Sequence, residues 1–285
     1  MTGPHGSGIE PRVVADARQD ADAAARHAGV EISPLDARGA WDADALFRRI
    51  WGAPVIEAPL MIALAHSGAY VVGARDADSR ELAGACVGYF ARPLGTSLHS
   101  HVAGVDPGAA RRGIGIAMKL DQRAWALEQG LSRISWTFDP LVSRNAAFNL
   151  HGLHVEIDRY LVDFYGDMTD GVNAGQGSDR LLVSWPIAAL AATSSTVATV
   201  DMQALVERAS ALVVDRDGEP ESRPVQADAP RLTVAVPRDI EALRGADPAL
   251  AARWRHAVRD ALAPALADGW RITGFHDHRY LLETR

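Results

Sequence analysis

The segment Arg111-Arg112-Gly113-Ile114-Gly115-Ile116 constrains this chain more than any other. It lies between an extended apolar stretch, Leu98–Val105, closed by Asp106-Pro107-Gly108, and a helix predicted from Gly113 to Gln129 and stopped by Gly130. Glycines at such a junction let backbone N–H groups converge on an anion. The helix N-terminus adds positive potential there, and two arginines supply counter-charge. A dinucleotide fingerprint would need a third glycine at position 118, where Met118 stands. A nucleoside-triphosphate loop would need Gly-Lys-Ser/Thr, but Lys119 follows Met118. Both readings fail. What is left is a site for another phosphate-bearing ligand, or an arginine-rich turn that only caps its helix.

A strand–turn–helix unit of this kind belongs to an α/β or α+β fold, and the rest of the chain alternates in the same way. Spacing of Trp41, Leu46, Phe47 and Ile50 predicts a helix over Trp41–Trp51, ended by Gly52 and Pro54; Glu57–Ala65 reads as a second. Tyr70–Ala74, Leu82–Phe90, Arg133–Phe138, Tyr160–Tyr165 and Arg180–Trp185 read as strands, with a helix over Asn145–Leu153. Past a Ser/Thr/Ala-rich linker, Ala188–Thr199, come strands at Ala211–Val214, Leu232–Val236, Trp270–Phe275 and Tyr280–Leu282. A long helix over Asp247–Ala267 is expected to kink or stop early at Pro264. Its stripe of Leu250, Trp254, Val258, Ala261 and Leu262 needs an apolar partner, and the N-terminal sheet is the nearest candidate. The organisation expected is a flexible lead-in over 1–28, a main domain over 29–187, and a smaller α+β lobe over 196–285 packed on it.

The net charge of −7 argues against an extended phosphate-backbone surface, so no nucleic acid is expected as partner. No apolar run approaches the length needed to span a bilayer, and the N-terminus lacks the apolar core of a signal peptide. The single cysteine, Cys86, cannot form an internal disulfide and has no zinc-type spacing around it, which points to the cytoplasm. A second copy of the chain is an allowed partner. Lys119 is the only lysine among 29 basic residues; with Arg123 it shares a helical face at i, i+4, where solvated charge is the expectation.

Val105, a turn, Arg-Arg-Gly-Ile-Gly and then a helix resemble the coenzyme A pyrophosphate loop of the GNAT acyltransferase superfamily. The likeness extends to a large-bodied subfamily through an ordered series. It comprises Leu98-His99-Ser100-His101, Leu120-Asp121-Gln122-Arg123, Trp136-Thr137-Phe138-Asp139-Pro140-Leu141, Arg144-Asn145-Ala146, Tyr165-Gly166, Ser178-Asp179-Arg180, Trp185, and Ala251-Ala252-Arg253-Trp254-Arg255. This series runs from about Val30 to the C-terminus, lobe included. Two departures stand out. Ala110 replaces the usual Gln or Arg three residues before the first glycine, and Leu150 falls where many members place a tyrosine that protonates the departing thiolate.

The resemblance implies a mixed central sheet of GNAT type and an acyl-CoA, acetyl-CoA or another, as co-substrate without a metal. Pyrophosphate would be held by Arg111, Arg112, Gly113, Ile114, Gly115 and Ile116. The strand before the loop splays from its neighbour in this family, and pantetheine pairs with its backbone. That places Ala103 and Val105 against the cofactor, with the Ala103 N–H on the thioester oxygen. Asn145 either contacts the coenzyme or N-caps its helix.

His99 and His101 stand two apart on one strand, so their rings share a face about 7 Å apart. Imidazoles titrate near neutrality and suit removal of a proton from an amine. The competing readings are a packed or surface pair and a metal pair, the latter without a nearby third ligand. Tyr160, Tyr165 and His151 are candidates for the thiolate acid, and nothing selects among them. Asp139, Asp179 and Arg180 read either as substrate contacts or as a salt-bridged corner. The functional expectation is a CoA-dependent N-acyltransferase acting on a small amine, an amino acid or similar metabolite. The alternative is a non-catalytic acyl-CoA-binding regulator.

Overall fold

The computed structural model describes residues 9–166, 177–188, 201–225 and 228–284. They form two compact units. The first is built from the described residues of Met1–Trp136 and Trp185–Thr196, the second from those of Thr137–Ser184 and Val197–Arg285. The boundary therefore differs from the one expected near residue 187: residues 137–184 belong to the second unit. Two of the crossings, at 136/137 and 184/185, fall inside strands, where composition carries no signal; the third, at 196/197, coincides with the expected start of the lobe and lies outside the described residues. The linker expected over 188–199 lies, apart from Ala188, outside the described residues.

The first unit opens with helix α1 (Pro11–Ala28), which corrects the expectation of a flexible lead-in over that stretch. Ala17, Ala21 and Ala28 are buried, and α1 packs along the helix that follows the glycine turn. Alanines four apart let two helix backbones approach closely, a stripe that a hydropathy reading passes over. Strand β1 (Val30–Pro34) leads to α2 (Ala37–Trp51), capped by the Asp36 carboxylate on the Gly39 N–H at 2.7 Å and ended by left-handed Gly52. Next come α3 (Ala58–His66) and strands β2 (Tyr70–Asp76), β3 (Leu82–Ala91) and β4 (Ser97–Val105). Helix α4 (Ile114–Glu128) and β5 (Arg133–Phe138) complete the unit.

Strands β1 to β5 lie side by side in chain order, antiparallel up to β4, with β5 parallel to β4. Period-two alternation sorts their side chains to two covers. Val71, Ala85, Val87 and Val102 pack under Leu46, Phe47 and Met61 of α2 and α3. Tyr70, Val72 and Cys86 pack on the other face with Ile114, Ala117 and Met118 of α4. Gly104 is where α2 closes on β4: a Cβ there would meet Ile50 at 2.8 Å and Trp51 at 2.9 Å.

In the second unit α5 (Ser143–Ala147) continues into a π-helical turn over Phe148–Gly152. Strands β6 (Glu156–Leu161) and β7 (Arg180–Pro186) pair antiparallel. The lobe adds α6 (Met202–Glu207), β8 (Ser210–Arg216), β9 (Glu219–Ser222), β10 (Arg231–Ala235), α7 (Ile240–Ala246), α8 (Pro248–Ala267), β11 (Arg271–His276) and β12 (Arg279–Glu283). Its five strands take the order β11-β12-β10-β8-β9. Helix α8 runs through Pro264 rather than stopping at it, and buries Trp254, Val258, Ala261 and Leu262. Within its own unit this stripe is covered by β6 and by β8 to β11.

Candidate active site

Strand β4 carries two departures from a regular ladder. Its pairing with β5 covers only Ser97↔Arg133, Leu98↔Ile134 and His99↔Ser135; among the described residues the ladder goes no further, and the two strands part. Its pairing with β3 shifts between Val87↔Val102 and Gly88↔Ser100, so that His101 is an extra residue in a β-bulge. The first leaves the β5-facing edge of Ser100–Val105 open. The second keeps the ring of His101 beside that of His99. The centroids are 6.3 Å apart, and both rings lie against Tyr89, at 5.4 Å from His99 and 5.7 Å from His101. Tyr89 was not singled out from the sequence, although it stands directly across the ladder from His99.

Burial lowers the pKa of both imidazoles. His99 falls to about 4, through desolvation first and then the charges of His101 and Lys119; His101 falls through desolvation alone. Both rings are therefore neutral at neutral pH and able to accept a proton.

The backbone of β4 has a definite polarity. Asp106 N–H donates to the Ala83 oxygen of β3 at 2.8 Å. Alternation gives Gly104 the same direction, so Ala103 and Val105 turn their N–H groups to the open edge. Ala103 is exposed and Val105 half-buried.

At the end of this strand Gly113 caps α4 with φ +88°, a conformation open to glycine, and the first-turn N–H groups of Ile114, Gly115 and Ile116 have no intrahelical partner. The two arginines behave differently. Arg111 is exposed and makes no ion pair among the described residues. Arg112 bonds Asp76 at 2.8 Å and the carbonyls of Ala28 and Gly29 at 3.1 Å each. It thus ties the turn to the end of α1. The turn N–H groups of Ser79 and Asp78, with Arg112, hold the Asp76 carboxyl down at about 2.

Lys119 is not solvated as expected: it is 5% exposed, and Arg123 4%. Its Nζ donates to Ser100 Oγ at 2.7 Å and Gln122 Oε1 at 3.3 Å, and stands 3.9 Å from the centre of the Trp136 ring. Desolvation lowers its pKa to about 8. Trp136 and Trp185 are core residues packed edge to face at 5.9 Å.

Asn145 belongs to the second unit and is not a cap: α5 starts at Ser143 with Val142 in the capping position. Leu150 is buried. The Tyr160 hydroxyl donates to Asp179 at 2.6 Å, and burial with that carboxylate pushes its pKa up, whereas Tyr165 is exposed. Asp139 and Asp179 form a salt-bridged corner. Arg255 clamps Asp139 through bonds of 2.9 and 2.7 Å, Arg244 adds one of 2.6 Å, and Arg259 bonds Asp179 at 2.5 and 2.8 Å.

No family model matches the chain, and no curated protein matches it. Solved structures do align with it. Chaetomium thermophilum Naa20 in complex with a bisubstrate analogue is 17% identical over 55% of this chain and 86% of that one, with a TM-score of 0.46. The ribosomal-protein-S18-alanine N-acetyltransferase of Escherichia coli is 14% identical over 55% and 94%, TM-score 0.44. Salmonella typhimurium yncA with its cofactor acetyl-CoA is 12% identical over 59% and 99%, TM-score 0.46. A mixed sheet, parting of β4 from β5 and a glycine turn into α4 are the fold features that the resemblance to the GNAT superfamily implies.

Proposed function

We propose that this chain is a CoA-dependent N-acyltransferase, moving an acetyl or succinyl-type group from acyl-CoA to the amine of a small metabolite such as an amino acid. The observation that carries the reading is the open edge of β4, roughly 17 Å of strand from Ser100 to Val105. It has two neutral imidazoles at one end and the α4 glycine turn at the other. An extended pantetheine arm pairs with the Ala103 and Val105 N–H groups. The pyrophosphate meets the first turn of α4 and Arg111, while Arg112 holds that turn in shape.

The reaction runs by direct attack in a ternary complex. His99 or His101 takes the ammonium proton, directly or through a water, and the amine nitrogen forms its bond to the thioester carbon. Ala103 N–H donates to the oxygen as negative charge develops on it. The C–S bond then breaks, and the thiolate leaves as the free thiol after taking a proton. The imidazoles need no alkaline pH to act, because burial already keeps them neutral.

The test is release of free thiol from acetyl-, succinyl- and malonyl-CoA against a panel of amines. Amine-dependent, sustained release supports the reading. Saturable CoA binding without turnover would instead identify an acyl-CoA-binding regulator, the reading that Ala110 and the buried Leu150 favour.

A further inference from the structure

Lys119 is a cation inside the first unit with no anion beside it. Among the described residues no ion pair involves it, and the acceptors it has, Ser100 Oγ and Gln122 Oε1, are both neutral. The neighbouring Cys86 thiol is buried, and desolvation raises its pKa, so it supplies no negative charge at neutral pH. A buried ammonium without a counter-charge is costly, and a methionine or leucine would fill the same volume without that cost.

Its position is specific. Ser100 is the first residue of β4 past its last pair with β5, and Trp136 is the first residue of β5 past that same pair. Lys119 reaches both, Ser100 by a hydrogen bond and Trp136 by its ring face, and so stands across the point where the strands part. Trp136 also packs edge to face against Trp185, which is 1% exposed and whose indole N–H has no hydrogen-bond partner among the described residues. Among the described residues, then, both an unsatisfied buried donor and a buried cation without a counter-charge belong to residues packed against Trp136.

We propose that the parting of β4 and β5 is an acyl-terminus subsite in which Lys119 receives the distal carboxylate of a dicarboxylic acyl group, of malonyl or succinyl type. The inference rests on the acyltransferase reading, which brings the acyl end of the thioester to this end of β4. The two faces of the strand identify the source of the carboxylate. His99 pairs with Tyr89 on the face covered by α2 and α3, whereas Ser100 lies with Cys86 on the face covered by α4. The amine must approach the imidazoles, so an anion at Lys119, on the opposite face, belongs to the acyl donor.

The experiment compares kcat/KM for succinyl-CoA with that for butyryl-CoA, a thioester of equal chain length without the charge, using the full chain and one acceptor. The wild-type protein is expected to favour succinyl-CoA by at least 30-fold, and Lys119→Met to reduce that preference below threefold. No preference in the wild type, which needs no variant to fold, overturns the proposal; so does a preference that survives Lys119→Met. Repeating the comparison with an amine lacking a carboxylate should leave the ratio unchanged. A ratio that follows the acceptor's carboxylate assigns the anion to the acceptor and also overturns it. If no thioester turns over, the acyltransferase reading fails separately, and calorimetric affinities for succinyl-CoA and butyryl-CoA then decide the subsite by the same 30-fold criterion.

Discussion

Replacing Lys119 by methionine should make the protein more stable, by an amount that depends on pH. The folded state holds this ammonium at a pKa of about 8 against an ordinary value of 10.5, because burial disfavours the charge. A basic group with a depressed folded pKa binds fewer protons folded than unfolded between those two values, so stability rises with pH across that window. At pH 7 the penalty is about 3 kcal/mol, and at pH 9.5 it is about 1 kcal/mol. Methionine removes this penalty but forfeits the bonds to Ser100 and Gln122, worth about 1–2 kcal/mol together. The variant should therefore be about 1–2 kcal/mol more stable at pH 7, and should lose that advantage by pH 9.5. Urea unfolding of both proteins at the two pH values gives the difference directly, and groups common to both cancel. Identical pH dependence in the two proteins would refute a buried charged lysine.

Apart from the far higher ionisation of an alkylamine acceptor, the acyl-transfer rate under limiting acceptor should fall on acidification only below the ordinary histidine range, toward about 4 for His99, because the base works in its neutral form and burial favours that form; an enzyme limb near ~6.5 speaks against His99. Replacing either histidine by alanine should lower turnover roughly 100-fold or more, measured by thiol release. Gly115→Leu should abolish thermal stabilisation by CoA while leaving the unliganded melting temperature nearly unchanged, and unaltered CoA affinity would remove the turn from the cofactor site. Asp139→Asn leaves Arg255 and Arg244 buried beside a neutral amide and should cost about 3–5 kcal/mol by urea unfolding. The same carboxyl is held well below its usual range by those arginines, so its contribution is present above pH ~4 and is lost as the pH falls toward the depressed folded value.

Local patterns made much of the first unit legible. The glycine turn, the α4 periodicity and the β2 to β5 strands all stand in the sequence at close to their observed positions, because each is set by residues within one element. Features that depend on a distant partner were not legible. Helix α1 is anchored by alanines and by Arg18 on Asp121 and Glu128, more than a hundred residues away. Arg112 reads as counter-charge until Asp76 is found beside it. The bulge at His101 leaves no mark in His-Ser-His-Val, since it arises from the register of β3. Lys119 is followed, after Leu120, by polar Asp121, Gln122 and Arg123, and its burial involves Ser100 and Trp136 on two separate strands. Pairing and burial across elements are what a linear periodicity cannot express.

The parting of β4 from β5 also limits what kind of ligand fits there. A strand flanked by buried Val102 and Gly104 cannot leave its edge N–H and C=O groups without partners at low cost. Water satisfies them when the edge is free, and a ligand displaces that water profitably only if it offers amides at strand spacing. A flat aromatic ring or a compact sugar offers no such series, whereas the two amides of a pantetheine arm do. The same geometry explains why the titratable side chains lie off the edge rather than on it. The imidazoles flank it on the α2 and α3 face, and Lys119 closes it on the α4 face, so the edge itself is left to backbone pairing. On the proposed acyltransferase reading, side-chain chemistry then decides only what happens at the end of the arm, and substitutions at His99, His101 and Lys119 should alter turnover and acyl choice far more than affinity for CoA itself.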